Sequence, residues 1–266
     1  MMKNNLEIKL DSLKKANRKA LICYITAGHP DLNTSEKIIE YLYESGTDIV
    51  EIGLPFSDPI ADGPVIQASS HKALLKGVNT DKIFTLVSKV TKKTAMPVII
   101  MTYLNPVFKY GIERFFKAAQ TAGVSGLIVP DATPESAGIF EKTARKYNIS
   151  VIYLLAPTTV KNRQKLIINR STGFVYIVSL TGVTGPRSKF DGSIENFVKG
   201  LKKQTKKPLM LGFGISNPQQ IKSIKKSIDG IIIGSALIKA IENSNKNTLK
   251  SNIDKFIKPF RRELDR

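Results

Sequence analysis

Three carboxylates lie in and directly after one short apolar segment, and their placement points to acid–base chemistry. Glu51 interrupts the buried-strand pattern of residues 49–52, and Asp58 and Asp62 follow in a stretch rich in proline and glycine, residues 53–64. An ionisable group inside a buried strand is unfavourable unless it is paired or takes part in chemistry. The alternative is a salt-bridged glutamate followed by two turn-forming aspartates, and this segment alone leaves both interpretations open.

The rest of the chain predicts the scaffold that positions these carboxylates. Apolar runs of strand length recur eight times, at residues 20–25, 49–52, 98–101, 127–129, 151–155, 174–178, 208–211 and 230–233. Helical patterns separate these runs, and another helical pattern precedes the first at residues 4–16. Strands that are apolar on both faces and alternate with helices form parallel sheets. We therefore predict an α/β fold, a (β/α)8 TIM barrel with an additional N-terminal helix, as one domain over residues 1–266.

Local signals predict where several helices begin. Asn33 is placed to cap the helix after the first strand, with Glu36 three residues on. Thr133, followed by a proline at the first helical position, is predicted to cap the helix after the fourth strand. Asn217 is predicted to begin the helix after the seventh strand. Residues 55–80 form a loop that is long for a connection of this kind, and long loops at this face are usually functional.

The barrel places the chemistry at the carboxyl ends of its strands. Glu51 lies near the end of the second strand, and Asp62 follows in a segment that can fold over the same opening. Glycine-bearing turns follow the sixth, seventh and eighth strands, at residues 182–186, 212–216 and 234–236. Such turns let backbone N–H groups approach an anion, and the helix starting near residue 235 adds its positive end. We predict a phosphate site there.

Other residue types narrow the chemistry. The two histidines, His29 and His71, lack the spacing of a zinc hydrolase, and we expect His29 to have a surface role. The single cysteine, Cys23, lies in a strand-like run and is expected to be a small core residue, in keeping with a reducing compartment. No lysine stands out within a barrel strand as a Schiff-base residue. The chemistry that remains is acid–base catalysis by carboxylates on a phosphorylated substrate, without a metal.

The composition is that of a globular protein with an unusual charge. Hydrophobic residues make up 42% and charged residues 24%, which excludes disorder as the main state. The net charge of +19 raises a nucleic-acid hypothesis, but no recognition motif accompanies it, and the lysines fall mostly in or beside helical patterns.

The apolar runs are too short to span a bilayer and no secretory signal is evident, so we expect a cytoplasmic protein, or a stromal one if encoded in a plastid.

The segment EIGLPFSDPIADGPVIQ at residues 51–67 closely resembles the tryptophan synthase alpha chain family. Residues 26–28 (TAG), 129–131 (VPD), 182–185 (GVTG) and 212–216 (GFGIS) match the same family in the same order. The resemblance covers nearly the whole chain. It implies a (β/α)8 barrel that splits indole-3-glycerol phosphate into indole and glyceraldehyde 3-phosphate, a retro-aldol cleavage in L-tryptophan biosynthesis.

The resemblance also implies roles for individual residues. Glu51 matches the general acid–base that protonates the indole C3 and helps deprotonate the glycerol hydroxyl, and Asp62 matches the carboxylate at the ring nitrogen. Tyr176 matches a tyrosine with a supporting catalytic role. The implied substrate-binding positions comprise the phosphate cradle (Gly185, Gly214, Gly234 and Ser235), the residues flanking the indole (Tyr24 and Phe213) and Thr184, which would hold Asp62.

The family works with a beta chain that carries pyridoxal phosphate and receives the indole. The resemblance therefore implies an alpha2beta2 heterotetramer, with no cofactor, no nucleic acid and no membrane for this chain itself. Departures such as His29, where an acidic residue is common, leave Glu51 and Asp62 untouched. The alternatives are a stand-alone lyase that releases free indole, a non-catalytic regulatory barrel, a nucleic-acid binder, and another phosphate-barrel enzyme such as an isomerase.

Overall fold

Parallel strands form the centre of the molecule. The computed structural model describes residues 2–178, 192–212 and 214–266. The strands in this part of the chain are β1 (Ala20–Thr26), β2 (Ile49–Gly53), β3 (Val98–Met101), β4 (Val124–Ile128), β5 (Ser150–Ile152), β6 (Leu154–Leu155), β7 (Val175–Val178), β8 (Leu209–Gly212) and β9 (Gly230–Ile233). The order of the strands in the sheet is β5-β4-β3-β2-β1-β9-β8-β7-β6, and each pair is parallel.

The sheet has the closed order of the predicted barrel. β5 and β6 are two parts of the predicted fifth strand, which is interrupted at Tyr153. β5 pairs with β4 and β6 pairs with β7, so the two ends of the strand order meet in one stretch of chain. The (β/α)8 barrel is thereby confirmed, with nine strand segments instead of eight because the fifth strand changes partner along its length.

The helices surround this sheet. They are α1 (Asn5–Lys15), α2 (Leu32–Glu44), α3 (Pro64–Leu75), α4 (Thr80–Lys93), α5 (Leu104–Tyr110), α6 (Ile112–Ala122), α7 (Gly138–Lys146), α8 (Lys161–Arg170), α9 (Gly192–Lys202), α10 (Ser235–Glu242) and α11 (Leu249–Asp265), with a 3-10 turn at Pro218–Ile221. None of the helices in the described ranges has the length and apolar character needed to cross a bilayer. The prediction of one domain over residues 1–266 stays a prediction.

The strands alternate between two apolar environments. In β2, Val50 and Ile52 belong to the large cluster between sheet and helices, whereas Ile49 belongs to the cluster inside the barrel. Because neighbouring side chains on a strand point to opposite faces, Glu51 shares the interior face with Ile49. The same alternation places Tyr24 of β1 and Tyr176 of β7 inside the barrel. The sequence therefore directs these three polar residues into the interior.

The predicted N-terminal helix, α1, covers the amino-terminal end of the barrel. Its Leu6, Leu10 and Leu13 are buried and pack with the interior cluster. The Asn4 side chain caps the helix by accepting a hydrogen bond from the Glu7 N–H at 3.0 Å. The same side chain donates to backbone carbonyls of Ser125 and Asn148 and to the Ser150 hydroxyl, at 2.9–3.2 Å. One asparagine thus begins the helix and attaches it to the barrel.

A buried ionic cluster joins the last helix to the same end. Asp48, immediately before β2, accepts hydrogen bonds at 2.8 Å from Arg18 and from Arg261 of α11. It also accepts the Leu21 backbone N–H at 2.9 Å. Asp48 and Arg261 expose only 3% and 9% of their side chains, so each buried charge is compensated by the other. Arg261 also pairs with Asp265.

Several predicted boundaries were wrong, for local reasons. Asp31, not Asn33, caps α2, because its carboxylate accepts the Thr34 N–H at 2.8 Å and the helix begins two residues earlier. Thr133 heads a turn closed by the Ser136 N–H, and α7 begins only at Gly138.

Asn217 does cap the element after β8, but that element is a 3-10 turn. The predicted long loop at residues 55–80 contains α3. The sequence also gave no signal for α5, which precedes the predicted helix at residues 111–121.

Candidate active site

Glu51 lies inside the barrel near the end of β2. It pairs in register with Tyr24 of β1 and Ile99 of β3. Only 1% of the residue is exposed, and within the described residues its Oε2 atom has no hydrogen-bond partner. Burial, with a smaller contribution from the negative charge of Asp62, raises the pKa of the Glu51 carboxyl to about 8. The side chain is therefore a neutral acid near pH 7, able to donate a proton.

Asp62 comes from the segment between β2 and α3 and faces the same opening. Its N–H donates to the Pro59 carbonyl at 3.0 Å, and its carbonyl accepts from the Gln67 side chain at 2.7 Å. Partial burial raises the pKa of the Asp62 carboxyl to about 6, although the Tyr103 hydroxyl opposes this shift as a hydrogen-bond donor. Its Oδ1 atom has no partner among the described residues. Asp62 is thus ionised near pH 7, while Glu51 is protonated.

Asp58, the third carboxylate of the segment, does not join them. It is exposed and accepts a hydrogen bond from its neighbour Ser57. Of the two interpretations open at the outset, the turn-forming one fits Asp58. Glu51 and Asp62 differ from Asp58 because each has a buried carboxylate oxygen without a hydrogen-bond partner among the described residues. In the described part of the chain, no salt bridge pairs Glu51.

Two tyrosines lie beside the carboxylates. Tyr24 and Tyr176 are buried, and the charges of Glu51 and Asp62 add to burial in raising both phenol pKa values well above the ordinary range. Both phenols therefore stay protonated. A Cβ atom added at Gly53 would collide with the Tyr24 hydroxyl, and one added at Gly212 would collide with the Tyr176 hydroxyl. These glycines leave the space into which the two rings extend.

The predicted phosphate residues are only partly within the described structure. Gly214 has a positive φ of 75°, and Gly234 directly precedes Ser235, the first residue of α10. A Cβ atom on Gly234 would lie 3.4 Å from the Tyr24 Cβ, so the start of α10 is close to the tyrosine that shares the barrel mouth with Glu51. Thr184, Gly185 and Phe213 lie outside the described residues.

One residue of the mouth was not predicted. Tyr103 follows β3 with the same parity as the inward-facing Ile99 and Met101, so the alternation of the strand could have identified it. Its hydroxyl accepts the Ala61 N–H at 3.1 Å, and its ring lies 5.4 Å from that of Phe56 at an angle of 32°. Tyr103 therefore contacts the segment that carries Asp62.

The expected surface role of His29 was wrong. Only 6% of the residue is exposed, and neither ring nitrogen has a hydrogen bond of good geometry among the described residues. The Nε2 atom lies 3.4 Å from a carboxylate oxygen of Glu242, and burial lowers the pKa of the imidazole. The turn that carries His29 contacts Glu242 at the end of α10, and the Lys76 side chain after α3 donates to the Pro30 carbonyl of the same turn; the local sequence does not reveal these contacts.

Within the described residues, neither a metal site nor the groove between α4 and α6 matches the pair of carboxylates at the barrel mouth. Within the described residues no three His, Cys, Asp or Glu side chains are arranged to hold a metal. A groove of about 630 Å³ between α4 and α6 is lined by Lys89, Lys92, Arg114 and Lys117, among others. Its one carboxylate, Asp81, accepts a hydrogen bond from the Tyr110 hydroxyl. The groove therefore lacks the paired, perturbed carboxylates of the barrel mouth.

Comparisons with known proteins agree with this geometry. The family model described as tryptophan synthase alpha chain matches residues 10–264. A tryptophan synthase alpha chain of Prochlorococcus marinus is 42% identical over 97% of this chain and 92% of its own length. A tryptophan synthase alpha chain of a Thermoanaerobacter species is 44% identical over 98% of this chain and 100% of its own length. The crystal structure of tryptophan synthase subunit alpha from Legionella pneumophila superposes with a TM-score of 0.91 at 33% identity, covering 99% of both chains. The chain therefore belongs to the tryptophan synthase alpha chain family, the carbon–carbon lyases that cleave indole-3-glycerol phosphate to indole and glyceraldehyde 3-phosphate in L-tryptophan biosynthesis.

Proposed function

We propose that this chain cleaves indole-3-glycerol phosphate by using Glu51 as the proton donor and acceptor and Asp62 as the carboxylate that stabilises the charged ring. One observation carries the proposal: two carboxylates at one barrel mouth have pKa values of about 8 and about 6, and each has an unpartnered oxygen among the described residues. Two such groups at separate pKa values supply an acid and an anion at the same pH.

The reaction follows from these two states. Glu51, protonated near neutral pH, donates its proton to C3 of the indole ring, which makes C3 tetrahedral and places positive charge on the ring nitrogen. Asp62 stabilises that charge as the ionised carboxylate. Glu51, now an anion, takes the proton of the adjacent glycerol hydroxyl. The bond between C3 and the glycerol carbon breaks, its electron pair returns to the ring, and indole and the aldehyde form.

The other site residues have binding roles in this proposal. Tyr24 flanks the indole, and Tyr176 supports the carboxylates as a neutral phenol. Gly214, Gly234 and Ser235 hold the phosphate, since no side chain caps the first turn of α10 within the described residues and the first N–H groups of a helix bind anions. Gly185 would complete this cradle, Phe213 would cover the indole and Thr184 would hold Asp62. Phosphate binding far from the reacting bond fixes the substrate in register, which turns binding energy into orientation.

The rim of the barrel supports the partner proposal. Exposed apolar side chains follow four strand segments that adjoin around the ring: Ile60 after β2, Phe108 after β3, Ile139 after β4 and Val160 after β6. Exposed apolar residues clustered on one side of a protein are typical of interaction surfaces. We propose that this rim contacts a beta chain in an alpha2beta2 heterotetramer and that indole passes to that chain, which carries the pyridoxal phosphate. A cytoplasmic setting fits this role.

The test is release of indole from indole-3-glycerol phosphate. We expect slow cleavage by the purified chain and a strong rise on adding a beta chain. Glu51→Gln, which has no acidic proton to give, should be near-silent, and Asp62→Asn should lose most of the rate, because the ring charge is no longer compensated. A wild-type chain that stays silent with a beta chain present would overturn the proposal and favour a regulatory barrel. Activity without any beta-chain binding would favour a stand-alone lyase.

A further inference from the structure

The motif Val129-Pro130-Asp131 has no part in the proposed reaction, but Asp131 makes a specific contact. It follows β4, and both of its carboxylate oxygens accept the N–H of Leu104, at 3.0 and 3.2 Å. Leu104 is the first residue of α5, and Tyr103, which precedes it, supplies no side-chain cap. The first N–H groups of a helix need acceptors, and a carboxylate also interacts favourably with the positive end of the helix. Asp131 therefore caps α5 from another loop.

The residue held by this cap reaches the catalytic segment. Tyr103 is 3% exposed and its ring packs on Phe56. Its hydroxyl accepts the N–H of Ala61 at 3.1 Å, and as a donor close to Asp62 it lowers the pKa of that carboxyl. One phenol thus contacts the segment before Asp62 and the residue adjacent to it. Its position depends on where α5 begins.

We propose that Asp131 and Tyr103 are positioning residues for Asp62: Asp131 fixes the start of α5, and Tyr103 holds the segment that carries Asp62 at the barrel mouth through its contacts with Phe56 and Ala61. The inference rests on the proposed role of Asp62. The contact chain runs from the end of β4, through the first turn of α5 beside β3, to the segment after β2. Three adjacent strands thereby set the place of one carboxylate. A displacement of about 1 Å at such a group can reduce turnover by about a hundredfold.

The first test removes only the phenol oxygen. In Tyr103→Phe we expect the acid limb of the kcat profile to move up by about one pH unit, because the donor that favours ionised Asp62 is gone. The matched control is Tyr110→Phe, which removes a hydroxyl bonded to Asp81 on the outer surface and should leave the profile unchanged. The pKa of Asp62, read from the 13C shift of its carboxyl carbon, gives the same test without turnover.

The second test addresses Asp131. Asp131→Ala removes the acceptor for Leu104, and we expect kcat to fall about tenfold with a small change in KM. Asp131→Asn keeps an acceptor oxygen and should restore most of the activity. The double variant Tyr103→Phe/Asp131→Ala should be no worse than the more impaired single variant, because both act through one contact. Circular dichroism establishes that each variant is folded.

The outcomes separate the two proposals. A wild-type chain that is inactive with a beta chain present, or an Asp62→Asn variant with the wild-type rate, would overturn the proposed function, and the carboxyl-carbon titration would still decide whether Tyr103 controls Asp62. An active wild type and an Asp62→Asn variant that loses most of the rate, together with an unchanged Asp62 pKa in Tyr103→Phe, would overturn the positioning role alone. Equal loss in Asp131→Asn and Asp131→Ala would overturn the part assigned to the cap.

Discussion

Replacing Glu51 by glutamine should make the variant gain stability relative to the wild type as the pH rises. Burial raises the pKa of the Glu51 carboxyl from 4.5 to about 8 in the folded chain. A raised pKa means that the folded state binds the proton more tightly than the unfolded state does. The ionisation of Glu51 therefore costs nothing below the unfolded pKa, destabilises the fold progressively between the two values, and reaches its full cost above the folded pKa. Glutamine cannot ionise, so it removes this cost.

The magnitude follows from the two pKa values. With an unfolded value of 4.5 and a folded value of about 8, the cost of ionisation is about 1 kcal/mol at pH 5, about 3 kcal/mol at pH 7 and about 5 kcal/mol at pH 9. The buried amide of the glutamine adds a cost of its own, but that cost does not depend on pH. The quantity to compare is therefore the change in variant stability between pH 5 and pH 9, about 4 kcal/mol.

The assay is urea denaturation of the wild type and of Glu51→Gln at the three pH values. Glu44→Gln is the control, because Glu44 is exposed and its ion pair with Lys250 lies at the surface, where such pairs contribute about 1 kcal/mol or less. A difference between wild type and Glu51→Gln that is the same at pH 5 and pH 9 would refute the reasoning. It would mean that Glu51 is not a neutral acid in the folded chain and that the proposed proton donor is wrong.

Three further predictions concern packing and charge. Asp48→Ala should destabilise the fold by about 3–5 kcal/mol in urea denaturation, because it removes the buried carboxylate that Arg261 and Arg18 share and leaves Arg261 with only the partly exposed Asp265; a loss below about 1 kcal/mol would contradict this. Gly53→Ala should lower kcat/KM by about tenfold while the circular dichroism spectrum stays unchanged, since its Cβ displaces the Tyr24 ring; wild-type kinetics would show that this ring does not contact the substrate. Gly200→Ala, in α9 with open space around its Cβ, should raise stability by about 0.5–1 kcal/mol, and a destabilised variant would be the contrary result.

The sequence predicted the strand that carries Glu51 because the signal there is local. Alternation along β2 decides which side chains face inward, and a carboxylate on that face is conspicuous among Ile49, Val50 and Ile52. The other strands were predicted from the same kind of short continuous apolar run. The barrel followed from the number of such strands, since each apolar run needs sheet neighbours and helices to bury its two faces.

What the sequence could not show depends on contacts between distant residues. The helix α5 has seven residues and a proline in its first turn, a pattern typical of a turn, and its cap comes from Asp131, 27 residues further on. The cluster at Asp48 joins residues 213 positions apart in the chain. Burial of His29 likewise comes from helices that lie far from it in the sequence. Local propensity carries no information on such pairs, so the site segment was predicted without the residues that hold it.

The N-terminal helix has a consequence for the route by which molecules reach the site. Leu6 of α1 lies beneath Gly126 and Gly173, where an added Cβ would come within 3.1 Å of its Cδ2 atom, so the helix closes that end of the packed barrel interior. Among the described residues, Glu51 and Asp62 therefore face the end of the barrel opposite to α1. A substrate that enters from that end leaves as two products on the same side. A partner chain that covered this side would control both the start of cleavage and the direction in which the indole leaves.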